Sequence, residues 1–136
     1  MVTLIIGKKG TGKTKKLIAL ANETAAASTG NVVVIEKGAK LTYDITHKAR
    51  LIDADSFGIS GYGEYYGLVA GIKSGNHDVT HIFGDATLRI GTRNYDELYA
   101  FFERIAKISD VEFIFTVSAD KEELPEKIFD IAELCN

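Results

Sequence analysis

The stretch GKKGTGKT at residues 7–14 constrains the fold of this 136-residue chain more than any other feature. An apolar run at residues 2–6 precedes it, and an amphipathic stretch from Lys13 to about Ala27 follows it. Glycines at this spacing let successive backbone N–H groups point inward and surround an anion. The helix that follows directs the partial positive charge of its N-terminus at the same point. The stretch therefore predicts a phosphate-binding loop between a buried strand and a helix.

Individual residues of this loop have expected roles. The stretch fits the pattern G-x-x-x-x-G-K-[ST] in full, so Lys13 is expected to reach the β- and γ-phosphates of a nucleotide. The Thr14 hydroxyl is expected to bind Mg²⁺. The predicted nucleotide-binding residues are Gly7, Lys8, Lys9, Gly10, Thr11, Gly12, Lys13, Thr14 and Lys15.

On this motif and its strand–loop–helix context, the chain resembles the P-loop NTPase superfamily. The resemblance implies a three-layer αβα sandwich with a mostly parallel sheet, a nucleoside triphosphate with Mg²⁺, and a second acidic motif at the end of another strand. Independently of the resemblance, short apolar runs alternate with amphipathic stretches, which predicts an α/β sheet of about five strands with crossover helices. The length suits one domain, so residues 1–136 are predicted to form a single domain.

The same patterns predict the individual elements. Strands are expected at residues 2–6, 32–35, 79–85 and 112–117, with further short strands at 41–45 and 50–52 that would suit a hairpin at the sheet edge. Helices are expected at residues 13–27, 62–74 and 95–108, and a closing helical segment from Asp120 to Leu134.

The second acidic motif has two candidates. Residues 81–85 look like a Walker B strand, in which Asp85 would hold the Mg²⁺ through water. Gly84 departs from that pattern, because an apolar residue usually precedes the aspartate and a glycine weakens a strand interior. Asp53, with Asp55 nearby, is the competing candidate, but only two apolar residues precede it.

Hydrolysis has no obvious general base. In the large ATPase branch with an added strand between the two motifs, a glutamate commonly follows the aspartate, whereas Ala86 and Thr87 follow here and neither can act as a base. Glu36 is an alternative base, and a solvated loop glutamate is its plainer interpretation. In the same branch a polar residue at the position of Thr116 or Ser118 often contacts the γ-phosphate; capping of the strand end is the alternative. The predicted catalytic residues are Lys13, Asp85 and Thr116.

Nucleotide choice is weakly marked. The N-K-x-D motif of GTPases does not occur, and Ser118-Ala119-Asp120 only partly resembles their short serine–alanine loop, so ATP is favoured over GTP. Arg89 and Arg93 follow Asp85, either as an arginine finger or as plain surface residues.

Two further patterns have structural and functional interpretations. Gly67, Gly71 and Gly75 recur every four residues, and close packing of a helix on the sheet is favoured over a subunit contact. Nearby aromatic residues are interpreted as core and rim packing, with stacking on a base or a partner as the alternative. They are Phe57, Tyr62, Tyr65 and Tyr66.

Charge and composition narrow the function classes. The net charge is −3, so a nucleic-acid partner is not expected. The positive charge is concentrated in residues 1–50, which hold nine Lys/Arg and three Asp/Glu. Residues 51–136 hold seven Lys/Arg and sixteen Asp/Glu. Five lysines around the loop indicate a triphosphate instead. No apolar run approaches the roughly 20 residues of a membrane span. The single cysteine, Cys135, suits a reducing cytoplasm, and no paired zinc-ligand spacing occurs.

These observations favour a domain that binds ATP with Mg²⁺, and they leave open whether it hydrolyses ATP slowly. The alternative is a nucleotide-responsive module that does not hydrolyse ATP and assembles with itself or with another protein. A small-molecule kinase and a GTP-binding protein are less favoured.

Overall fold

The computed structural model describes residues 1–135. Within this range six strands form one sheet: β1 (Val2–Ile6), β2 (Asn31–Glu36), β3 (Ala49–Asp53), β4 (Val79–Gly84), β5 (Glu112–Val117) and β6 (Glu133–Leu134). The α-helices of the same range are α1 (Lys13–Ala27), α2 (Tyr62–Gly75), α3 (Thr87–Ile90), α4 (Tyr95–Ile105) and α5 (Ile128–Ile131). Two 3₁₀ turns span Ala54–Phe57 and Lys121–Glu123.

The sheet is parallel throughout, in the order β3-β2-β4-β5-β1-β6. In register, Leu4 of β1 lies opposite Phe115 of β5, and Phe83 of β4 lies opposite Ile114. Parallel strands all end at one edge, so the loops that follow β1, β2, β4 and β5 meet there. This edge is where ligands bind in open α/β sheets.

Successive strand residues point to opposite faces of the sheet and build two cores. On one face, Leu17 and Ala21 of α1 pack with Ile5 of β1. On the other face, Tyr65 of α2 and Phe101 of α4 belong to the larger core. Helices therefore cover both faces, which gives the three layers of an αβα sandwich.

The sheet has six strands where about five were predicted, and the predicted closing helix is wrong because the segment is not one helix. The segment from Asp120 to Leu134 contains a 3₁₀ turn, the short α5 and the sixth strand, which pairs with Thr3 and Leu4 of β1. The Glu123 carboxylate accepts from the backbone N–H of Asp120 at 3.0 Å, which caps the start of the 3₁₀ turn. Pairing with β6 gives β1 a neighbour on both sides, and β1 therefore does not form the sheet edge.

The predicted strand at residues 41–45 is also wrong, because this segment is a turn. The backbone N–H groups of Asp44 and Ile45 both donate to the Leu41 carbonyl, at 2.9 and 3.1 Å. Leu41 and Ile45 are both buried and lie four residues apart, about one helical turn. This spacing differs from the two-residue repeat of a strand. The edge hairpin is wrong as well, because β3 runs parallel to β2. Bounds of the other predicted elements are confirmed within one residue, except that α4 ends at Ile105 rather than Ile108.

Candidate functional site

The glycine-rich loop (residues 7–14) has a backbone shape that its glycines permit. Gly10 and Gly12 adopt left-handed conformations, with φ of +83° and +87°. Gly7 has a φ of +148°, and a Cβ at this position would lie 2.7 Å from the Thr11 hydroxyl. That hydroxyl donates to the Lys8 carbonyl at 2.7 Å. Other residue types would be strained at these positions, so the loop shape depends on the glycines.

Lys13 opens α1 at the end of this loop, and only 8% of it is exposed. Its Nζ donates to the Lys8 carbonyl at 2.7 Å. Burial lowers the pKa of the Lys13 ammonium, while the negative charge of Asp85 acts in the opposite direction. A cation held with this little solvation is stabilised by an anion placed beside it.

Three elements meet at the carboxylate of Asp85. The Thr14 hydroxyl from α1 lies 3.2 Å from Oδ1 and 3.1 Å from Oδ2. The Thr116 hydroxyl from β5 donates to Oδ1 at 2.7 Å and accepts from the Ala86 N–H at 3.1 Å. Residues far apart in the sequence thus form one cluster of oxygen atoms, the kind of donor that Mg²⁺ prefers.

A cavity of about 510 Å³ lies over this cluster. It is lined by Lys9, Gly10, Gly12, Lys13, Thr14, Lys15, Asp85, Ala86, Leu88, Arg89, Arg93, Thr116 and Ser118. Gly7, Lys8 and Thr11 were also predicted to bind nucleotide, but they do not line this cavity and instead shape the loop. Lys8 forms an exposed ion pair with Asp120 at 3.4 Å.

Both arginines that follow Asp85 lie at this cavity. Arg93 donates from Nη2 to the Ser118 carbonyl at 3.2 Å, which holds its guanidinium near the end of β5. Arg89 also borders a second cavity of about 610 Å³. The two cavities share Thr14 and Asp85, so the oxygen cluster lies at their boundary.

Glu36 reaches the second cavity from the end of β2, and it is not the solvated loop glutamate of the plainer interpretation. It is 2% exposed, and its Oε1 accepts from the backbone N–H groups of Lys40 at 2.9 Å and Leu41 at 3.2 Å. Burial raises the pKa of the Glu36 carboxyl, the two N–H groups oppose this rise, and the charges of Asp53 and Asp85 add to it. A carboxylate with a raised pKa beside a cavity suits acid–base chemistry.

Asp53, the competing acidic candidate, accepts hydrogen bonds from neighbouring backbone and hydroxyl groups instead. Its Oδ1 accepts from the N–H groups of Gly38 at 2.8 Å and Asp55 at 2.9 Å, and its Oδ2 accepts from the Ser56 hydroxyl at 3.0 Å. Asp55 pairs with Lys37 at 2.6 Å. Neither aspartate lines the cavities described above.

Gly84 departs from the apolar pattern for a steric reason. A Cβ at this position would collide with the Tyr65 hydroxyl and would lie 2.6 Å from the ring of Phe115. No side chain fits between β4 and α2 at this point. Sequence reasoning could not find this constraint, because it depends on residues from three separate elements.

The glycine series on α2 does not pack on the sheet, so that interpretation is wrong. Gly67, Gly71 and Gly75 are exposed, and a Cβ at each would meet nothing within 4 Å. The buried residues of α2 are Tyr65 and Val69. The alternative interpretation, a subunit contact at these glycines, stays a hypothesis.

The four nearby aromatic residues have separate environments. Tyr65 is buried in the core, Phe57 is 68% exposed, and Tyr66 lies beneath the Arg104 guanidinium at 3.7 Å. Tyr62 donates from its hydroxyl to the Thr92 carbonyl at 2.6 Å. Within residues 1–135, none of these four lines the cavity over Asp85.

No helix in the described part of the chain has the length and apolar character that a membrane span requires. No family model and no curated protein matches the chain. Among solved structures, the chain is similar to the crystal structure of the flagellar accessory protein FlaH from Methanocaldococcus jannaschii, with 21% sequence identity and a TM-score of 0.60. The match covers 96% of this chain and 65% of the FlaH chain, so the chain spans less than two thirds of that protein. At this identity the likeness establishes the fold alone, and the predicted α/β class with a parallel sheet is confirmed.

Proposed function

We propose that this chain is a nucleotide-binding domain that binds ATP with Mg²⁺ at the glycine-rich loop and hydrolyses it. One observation carries the proposal: the hydroxyls of Thr14 and Thr116 both meet the Asp85 carboxylate, at 3.1 and 2.7 Å, beside the buried ammonium of Lys13. A cation and an oxygen cluster at the end of a glycine-rich loop are what a metal–triphosphate needs.

The phosphates would be held by the loop itself. Its backbone N–H groups and the N-terminus of α1 supply partial positive charge. Lys13 donates to the Lys8 carbonyl, and a phosphate oxygen would replace that carbonyl as a charged and therefore stronger acceptor. Binding would raise the pKa of Lys13, because a negative charge next to an ammonium favours its protonated form.

The residues around Asp85 fit Mg²⁺. Thr14 and Asp85 would hold it, and both are oxygen donors already within hydrogen-bond distance of each other. Within residues 1–135, no group of three or more His, Cys, Asp or Glu side chains could hold a metal ion. Few protein ligands are usual for Mg²⁺, which keeps water and phosphate oxygens in its shell. When bound, the ion would neutralise charge that develops on the transferred phosphoryl group.

Glu36 is the general base of this proposal. Ala86 has no group that accepts a proton, whereas the Glu36 carboxylate borders the cavity next to Thr14 and Asp85. A water attacking the γ-phosphorus would transfer its proton to Glu36 as the bond to ADP breaks. The hydrogen bonds from Lys40 and Leu41 hold the carboxylate in place for this step. Thr116 would contact the γ-phosphate from the end of β5.

ATP is proposed as the nucleotide because the GTPase base-reading motif N-K-x-D is absent from the sequence. The proposal includes a cytoplasmic location, which is supported by ATP as ligand and by the single cysteine, which needs no oxidising compartment.

A second candidate function is phosphoryl transfer to a small anionic acceptor. The cavity next to Glu36 has about 610 Å³, whereas a water molecule occupies about 30 Å³. Four cationic side chains line it against three carboxylates, which leaves one formal positive charge to attract an anion: Lys15, Lys37, Lys40 and Arg89 against Glu36, Asp44 and Asp85. The two functions differ in their product, because hydrolysis releases one phosphate for each ADP and transfer does not.

The proposal is tested by calorimetric titration with ATP, ADP and GTP, each with Mg²⁺ and with EDTA. One-to-one binding of ATP that strengthens with Mg²⁺ is expected, and Lys13→Ala should weaken it at least 100-fold. The matched control is Lys107→Ala, which removes an exposed lysine outside both cavities. Phosphate and ADP are then measured on the same sample. Absence of binding to every nucleotide would contradict the proposal.

A further inference from the structure

A further cavity, of about 590 Å³, lies between the outermost strand β3 and the C-terminal end of α2. It shares no lining residue with the two cavities of the proposed nucleotide site. Its floor is apolar, because Val33, Ile52 and Ile72 line it, and all three belong to the larger core or pack against it. Its rim carries the exposed side chains of Lys48 and Arg50. We call this cavity the basic groove.

The charge at the basic groove has one sign. Among the described residues that line it, Lys48 and Arg50 are cationic and none is a carboxylate. In the described part of the chain neither side chain takes part in an ion pair, whereas Lys8, Lys37 and Lys127 do. Two unpaired cations close together attract an anion. The groove therefore suits a ligand that carries anionic groups next to apolar ones.

Strand β3 presents a regular pattern to the basic groove. Side chains alternate between the two faces of a strand. Ala49 and Leu51 pack with the core on the side of α1, whereas Ile52 packs against the larger core. Lys48, Arg50 and Ile52 are spaced two residues apart, and all three line the groove. The pattern on the groove face is thus cation, cation, apolar.

The other side of β3 is open to a further strand. β3 is the outermost strand of the sheet and pairs only with β2. The connection between these two strands lies on the face of α1, where the Asn22 side chain donates to the Asp44 carbonyl and accepts from the Thr46 N–H, each at 2.8 Å. An edge strand offers unpaired N–H and C=O groups to another chain. Cations on such an edge disfavour pairing between identical copies and favour a strand with acidic side chains.

We propose that an acidic, extended segment of a partner protein binds in the basic groove and adds a strand to the free edge of β3. On the groove face this segment would place two carboxylates at alternate positions, beside Lys48 and Arg50, and an apolar side chain beside Ile52. Gly75 of α2 lines the groove without a side chain, so the segment can approach the backbone of the helix. The inference does not rest on the proposed function, because it concerns a separate cavity.

The test uses the intact chain and fluorescent peptides, with binding followed by fluorescence anisotropy. One threonine-rich peptide carries Glu-Thr-Glu-Thr-Ile at its centre, and a second carries the reverse order, so that parallel and antiparallel addition are both tested. At least one of the two should bind. In the matched control peptides both glutamates exchange places with the threonines. The composition is unchanged but the carboxylates point away from the groove, so binding should weaken about tenfold.

A charge exchange identifies the site on the protein. The double variant Lys48→Glu with Arg50→Glu should weaken binding of the acidic peptide at least about tenfold, because two attractions become repulsions. The same variant should bind a peptide in which lysine replaces both glutamates. Lys107→Glu is the matched control, because Lys107 is exposed and lies outside the groove. It should leave the affinity for each peptide within twofold of the wild type. Amide shifts on addition of the acidic peptide should be largest at residues 49–53.

Four results would overturn the inference. The first is that neither acidic peptide binds at millimolar concentration, and the second is that the control peptides bind equally well. The third is a dimer of the protein alone that the double variant dissociates, because a second copy would then occupy the edge. The fourth is that decanoate binds in the groove and the peptides do not, because the occupant would then be a small amphiphile.

Discussion

Substitutions of Glu36, the proposed general base, distinguish an effect on catalysis from an effect on stability. The Glu36 carboxylate accepts hydrogen bonds from the N–H groups of Lys40 and Leu41, and a glutamine can accept both through its own Oε1. Glu36→Gln should therefore change the free energy of unfolding by less than about 1 kcal/mol at neutral pH. Glu36→Ala leaves both N–H groups without an acceptor and should cost about 2–3 kcal/mol. For a chain of this length that is roughly 7–10 °C in melting temperature.

Glu36→Gln should also change the rate of turnover and the pH dependence of the stability. Removal of a general base should lower the rate of phosphate release at least about 100-fold in Glu36→Gln. Burial raises the pKa of Glu36 above its ordinary 4.5, so the wild type loses stability as pH rises through the folded-state value. Glutamine does not titrate, and the variant should gain stability relative to the wild type from about pH 4.5 upward.

Phosphate release is measured at saturating ATP and Mg²⁺, and thermal unfolding is followed by circular dichroism from pH 4 to pH 8. A Glu36→Gln variant that keeps more than a third of wild-type turnover would show that Glu36 is not the general base. A difference in melting temperature between wild type and Glu36→Gln that stays constant across this pH range would show that the pKa of Glu36 is not raised in the folded protein. Equal destabilisation by glutamine and alanine would show that the two backbone hydrogen bonds are not retained.

Three further predictions concern stability and metal binding. Gly84→Ala should destabilise the fold by about 1–3 kcal/mol, because the added methyl lies 2.6 Å from the Phe115 ring, and urea unfolding measures the loss. Gly67→Ala should stabilise it by up to about 1 kcal/mol in the same assay, since the methyl meets nothing within 4 Å on an exposed helix face; a loss of stability would contradict this. Thr116→Val removes a donor to Asp85 and should lower the free energy of unfolding by about 1–2 kcal/mol. It should also weaken ATP binding more in Mg²⁺ than in EDTA. Equal weakening in the two conditions would argue against a cluster shared by Thr116, Asp85 and the metal ion.

Local sequence signals predicted the strand, loop and helix of residues 2–27 to the residue. Each of these elements depends on neighbours in the chain: an apolar strand, glycines that permit the turn, and an amphipathic helix. The prediction failed at residues 41–45, where Leu41 and Ile45 are apolar but the Glu36 carboxylate holds the backbone of Lys40 and Leu41 in a turn. It also failed at β6, where two residues are enough to pair with β1. A strand of that length has no period to detect.

The candidate site was predictable where it follows a motif and unpredictable where it depends on packing. Lys13, Thr14 and Asp85 were predicted from their spacing and context to share one site, and all three line the same cavity. The burial of Glu36 and the contact between Gly84 and Tyr65 arise only when β2, β4 and α2 come together. The exposed glycines of α2 have the same spacing as glycines that pack closely. Only the surrounding structure distinguishes the two cases.

The most direct test of the central claim is a map of amide chemical shifts on addition of ATP with Mg²⁺. Binding at the glycine-rich loop predicts large shifts for residues 7–15, for Asp85 and Ala86, and for Thr116. The opposite sheet edge, where His47 and Asn76 lie, should stay unchanged. Shifts confined to that opposite edge, or no shifts at millimolar ATP, would contradict the account.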